Sequence, residues 1–136
     1  MITLEEIRSS NELTIAIVVK KDYKKEGVNF VSKSEYPLQL AVSSYKAGHK
    51  INDHLHQKRE ITINNIQEVV YFKSGEALVS LFGEDKKLVR TLKLSAGDVV
   101  FFVNGGHGFK MSKDTTIIEV KQGPYFGKDL DKVIIE

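Results

Sequence analysis

The chain has 136 residues, of which 41% are apolar and 28% charged, with a net charge of +2 and no cysteine. Such a composition suits a folded domain with one core rather than a disordered chain. It excludes a disulfide scaffold, a catalytic thiolate and any thiolate metal site.

Lysines and carboxylates are interleaved along the chain, so it lacks the concentrated basic footprint that nucleic-acid binding requires. The longest apolar run near the N-terminus, Ile15 to Val19, falls far short of the roughly 20 residues of a membrane span. The expectation is a cytoplasmic protein whose partner is a small molecule, with neither nucleic acid nor membrane involved.

In chain order, the first candidate element is ITLEEIRSSNEL, the one stretch read as a short helix. Leu13, Ile15, Ile17 and Val19 then alternate with Thr14, Ala16 and Val18, which predicts a strand by period and by β-branching. Lys20 to Asn29 is charged and contains Gly27, so it reads as a loop. Extended segments follow at Leu38–Tyr45, Ile61–Asn64, Glu68–Lys73 and Ala77–Phe82. They continue at Leu88–Leu94, Val99–Val103, His107–Met111 and Thr116–Lys121. Between them lie turn signals such as Ala47-Gly48, Ser74-Gly75, Ala96-Gly97-Asp98, Asn104-Gly105-Gly106 and Gly123-Pro124. LFGEDKKL reads as a hairpin with solvent-facing charges, and Phe101, Phe102 and Phe109 read as core. Many short strands with frequent turns predict an all-β sandwich or barrel, taken as one domain over residues 1–136. An apolar outer sheet face would need cover, so a homodimer is expected.

The chemistry concentrates in the histidines. Three of the four fall into a pattern, with His54 and His56 one residue apart and His107 following AGDVVFFVNGG. In a strand, residues i and i+2 share a face, so two such imidazoles can approach one ion. Glu68 opens the segment EVVYFKSG. Several imidazoles with one carboxylate suit Fe(II), Mn, Ni or Zn, with positions left open.

Gly48, His54, His56, Glu68 and Gly75 resemble the first cupin motif, G-x5-H-x-H-x3,4-E-x6-G, and Gly97, Gly105 and His107 resemble the second, G-x5-P-x-G-x2-H-x3-N. The resemblance implies a double-stranded β-helix, a jelly-roll barrel over about 36–122. It also implies a divalent metal held inside by His54, His56, Glu68 and His107. The chain departs from the pattern at several points. Eleven residues separate His56 from Glu68, Val103 stands where the motif has proline, the Gly105–His107 gap is one residue short, and no asparagine follows. Glu60 satisfies H-x-H-x3-E but has Gln67 where the glycine belongs, whereas Glu68 satisfies E-x6-G; Glu68 is preferred, with REITINN as an inserted loop or strand. His49 lies outside the motif, on the opposite strand parity from His54 and His56.

Near the C-terminus, Glu119 and Lys121 share one face of a strand and Ile118 and Val120 the other. The polar pair either faces solvent or enters the cavity as acid/base or hydroxyl-binding groups. Tyr125, after Gly123-Pro124, either closes over the cavity mouth or simply packs. GGHGF followed by IIEVKQGPY resembles small cupins associated with bacterial surface-polysaccharide and sugar biosynthesis. The leading expectation is a metal-dependent isomerase or epimerase acting on a sugar or nucleotide sugar, with Glu119 or Lys121 moving the proton. An Fe(II) oxygenase and a non-catalytic sugar-binding module are the alternatives.

Overall fold

The strands follow the alternating and β-branched segments of the sequence, and a computed structural model describes them over residues 2–136. They are β1 (Leu4–Arg8), β2 (Thr14–Val19), β3 (Gly27–Phe30), β4 (Ala41–Ser44) and β5 (Glu68–Ser74). After them come β6 (Glu76–Phe82), β7 (Leu88–Ser95), β8 (Val99–Phe102), β9 (Gly106–Met111) and β10 (Thr116–Lys121). A single helical turn, α1 (Lys128–Asp131), follows near the C-terminus.

All the strand pairings are antiparallel: a five-stranded sheet ordered β1-β2-β8-β5-β10, a three-stranded sheet ordered β7-β6-β9, and the hairpin β3-β4. The two larger sheets pack face to face over one core. Ala16, Val18, Val70, Phe72, Val100 and Phe102 come from the first, and Ala77, Val79, Leu81 and Leu94 from the second. The opposite face of the five-stranded sheet is covered too. Ile17, Phe101 and Val103 pack there against Val31, Tyr36, Leu38 and Leu40, with Tyr36 edge-on to Phe101 at 6.1 Å. Cover on both faces explains why VVFF, and TIAIVV after Thr14, are apolar rather than alternating with polar residues.

Several expectations are corrected. The N-terminal segment expected as a helix contains strand β1, which runs antiparallel along β2 with Leu4 opposite Val19. A tight reversal at Ser9–Leu13, with Glu12 at φ 65°, folds the segment back onto the β2 edge. Pairing there buries Ile7 in the core, where a free amphipathic turn has no apolar surface to meet. The charged stretch read as a loop ends in β3. Ile61–Asn64, expected to be extended, belongs to no strand. Nor do the sheets close into a barrel: β1 and β10 end one sheet, β7 and β9 the other, and these outer strands have no further partner among the described residues. Among the described residues, 45–66 form no strand and add to neither sheet.

Candidate functional site

Period two places Glu68, Val70 and Phe72 on the inner face of β5. Register extends that row sideways, because Glu68 lies opposite Phe102 of β8 and opposite Lys121 of β10. Cross-strand partners share a face, so Lys121 and, opposite Val70, Glu119 are on the inner face. Ile118 and Val120 therefore point outward, where both remain about half exposed. Strand β10 thus has the reverse of ordinary polarity: Glu119 and Lys121 are on the inner face, where Lys121 is partly buried and Glu119 remains exposed.

From the opposing sheet, β9 delivers His107. Its ring lies flat on Phe102, with centroids 3.6 Å apart and planes 7° apart. It also meets the edge of Phe109 at 5.8 Å. The stacked imidazole directs Nε2 to within 3.3 Å of Glu68 Oε1. The turn that aims it depends on Gly105, at φ 73°, where any Cβ would collide with the Phe82 carbonyl oxygen. On the other side of Glu68, Lys121 Nζ is 4.0 Å from Oε2. It donates a hydrogen bond of 2.9 Å to Asp131 Oδ2 from α1 and sits 4.9 Å from the centre of the Tyr125 ring. The Asp131 carboxylate raises the Lys121 pKa above its ordinary value and outweighs the opposing effect of burial, so Lys121 is a fixed cation at neutral pH.

The result is a carboxylate with an imidazole on one side and an ammonium on the other, at the open side of the sandwich. Side-chain exposures are 12% for Glu68, 30% for His107 and 24% for Lys121. An imidazole beside a carboxylate can hold and move a proton, and the neighbouring ammonium can attract an anionic or carbonyl oxygen. A separate surface hollow between Ile2, Glu5 and Lys20 and the strand segment Arg90–Leu94 includes none of these groups.

The two halves of the expected ligand set lie apart. His54 and His56 are together, with ring centroids 5.3 Å apart, and both are exposed on residues 45–66 along with Glu60. His54 Nδ1 lies 2.7 Å from the Asn52 carbonyl oxygen. His49 is stacked on Tyr45 at 4.6 Å. Among the described residues, no three histidine, aspartate or glutamate side chains come together in a group able to hold a metal ion. The residues of one chain therefore do not fit the four-ligand ion that the cupin resemblance implies.

Sequence reasoning missed Phe102 and Asp131 as members of the site. Phe102 looks like any core aromatic, and only its register opposite Glu68 shows that it lies under His107. Asp131 lies in a tail without periodicity, and nothing in its local sequence points to Lys121. No protein-family model, curated protein or solved structure matches the chain.

Proposed function

We propose that the protein is a cupin-like enzyme that isomerises or epimerises a small polar molecule, a sugar or nucleotide sugar, by moving a proton at a carbon next to a carbonyl. The observation that carries this reading is the inner-face grouping of Glu68, His107 and Lys121, with Lys121 held charged by Asp131. The Glu68–His107 pair takes the proton from the substrate carbon and returns it to the neighbouring position or the opposite face. The Lys121 ammonium stabilises the negative charge that develops on the carbonyl oxygen. Glu119, two residues along the same face of β10, is the second acid/base group. Phe102 fixes the imidazole plane, and Tyr125 offers an apolar ring to the sugar.

The test is solvent exchange: the protein is incubated in D2O with a panel of nucleotide-linked keto sugars, and deuterium incorporation is followed by NMR. Incorporation that falls at least 100-fold in both Glu68→Gln and Lys121→Met supports the reading, the size being that of a lost acid/base or oxyanion-stabilising group. Binding without incorporation assigns the site to a sugar-binding module instead. Oxygen uptake by iron-loaded protein would favour the oxygenase.

A further inference from the structure

Residues 45–66 form an arm with no secondary structure between β4 and β5. Loops of that length without internal structure are uncommon in compact domains and are usually functional or disordered. The arm's composition argues against a merely solvated loop. Leu55 is 95% exposed, Ile51, Ile61 and Ile66 are each more than half exposed, and Ile63 is 39% exposed. From Ile51 to His56 the pattern is that of an amphipathic strand, with Ile51, Asp53 and Leu55 on one parity and Asn52, His54 and His56 on the other. Among the described residues, no hydrogen bond or ion pair joins residues 46–64 to the rest of the fold. The arm's polar contacts are internal, as in His49 N to Lys46 O and His54 to Asn52. Its return is anchored only at Asn65, which donates to the Val103 and Asn104 oxygens. The hollow that His56, Gln57, Lys58, Arg59 and Ile61 form is lined by arm residues alone.

The body shows the complementary defect. Strands β9 and β10 are both sheet edges, and the inner-face residues nearest those edges, Met111 and Glu119, are left exposed. Unpaired edges accept an added strand through main-chain hydrogen bonds. The gap opens beside Glu68 and His107, the half-site that lacks the two arm histidines.

We propose that the arm of one copy adds to the β9/β10 side of a second copy, so that His54 and His56 of the partner subunit face Glu68 and His107 across the interface. Two such exchanges close a symmetric dimer with two composite sites. Reach permits it: at about 3.3 Å per residue, a segment of this length extended out and back projects roughly 35 Å, close to the breadth of a body whose radius of gyration is about 14 Å by size scaling. The exchange places Leu55 and Ile51 against apolar surface rather than water. It rests on the cupin-motif reading only for the ligand role of the four residues; the exchange itself stands on the arm and the open edges.

Two measurements separate these parts. The chain has no cysteine, so a Leu55→Cys chain and a differently tagged Met111→Cys chain, refolded together, report arm placement through a short bismaleimide. A cross-linked species containing both tags supports exchange. A monomeric wild type by light scattering, or a link formed only within a Leu55→Cys/Met111→Cys double variant, overturns it. Zinc content then tests the ligands. The His54→Ala/His56→Ala chain and the His107→Ala chain should each lose zinc alone and recover about one ion per mixed dimer when refolded together. Wild type that binds zinc through all three histidines without recovery in the mixture overturns the exchange. Inter-chain cross-linking in a wild type that binds no zinc leaves the exchange standing and removes the metal reading.

Discussion

Replacing Asp98 by alanine should destabilise the fold by about 3–5 kcal/mol, a large fraction of the 5–15 kcal/mol typical of a domain. Asp98 sits in the turn before β8 with its side chain 2% exposed. Its Oδ2 accepts from Lys20 Nζ and from the Ser95 backbone N–H, and its Oδ1 from the Lys21 backbone N–H, each at 2.9 Å. The carboxylate thereby ties the ends of β2 and β7 to the start of β8, the strand that carries Phe102 under His107. Deleting it strands two partly buried backbone donors at about 1–3 kcal/mol each. It also breaks an ion pair whose lysine, 34% exposed, is free to rehydrate, so that part is worth under about 1 kcal/mol. Lys20→Met should therefore cost far less than Asp98→Ala, and Asp98→Asn, which keeps one acceptor oxygen, should fall between. Urea unfolding followed by circular dichroism reads all three, with unchanged m-values as the check on two-state behaviour. A cost below about 1 kcal/mol for Asp98→Ala, or equal costs for it and Lys20→Met, would refute this account of the turn.

Gly105→Ala should cost upwards of about 1–2 kcal/mol, since φ 73° is disfavoured for L-residues and the new methyl meets the Phe82 carbonyl oxygen. Loss of His107 alignment should appear, in the proposed exchange reaction, as a fall in deuterium incorporation beyond what the lost stability accounts for. The Glu6 carboxyl is held below its ordinary pKa of 4.5, first by the Arg8 hydrogen bond and then by the Thr14 hydroxyl. Its stabilisation is full above pH 4.5 and disappears as pH falls through the depressed value, so Glu6→Gln should lower stability at pH 7 by about 0.5–1 kcal/mol, with no difference left in strong acid. Lys121 behaves oppositely. With its pKa raised by Asp131, its contribution is full below 10.5 and is lost as pH rises through the raised value. Asp131→Asn should thus weaken the protein at neutral pH by less than about 1 kcal/mol, free the C-terminal turn to proteolysis, and leave stability in strong alkali unchanged.

Strands β5 to β10 are legible in the sequence because each alternates or carries β-branched residues between glycine turns, and Gly75, Gly97 and Gly105 all adopt positive φ there. Strand β1 is not, because LEEIR carries too few apolar residues to separate a period of two from one of 3.6; only the waiting edge of β2 decides it. The arm fails for another reason. ITIN has the pattern of a strand, but pairing needs a partner, and within one chain it finds none. In the site, Glu68 and His107 are readable from motif spacing, whereas strand parity only groups Lys121 with Glu119 and leaves open which face turns inward; the register of β10 against β5 decides it. Phe102 and Asp131 depend on which residues the sheet order and the tail bring alongside them, information that no local pattern contains.

The most direct test of the claim that Glu68, His107 and Lys121 form the functional centre is an NMR titration of the four histidines with a nucleotide sugar, each ring assigned by single substitution. The account predicts that His107 ring resonances move on binding and that His49, stacked on Tyr45, does not. Saturable binding that leaves His107 unmoved would contradict it.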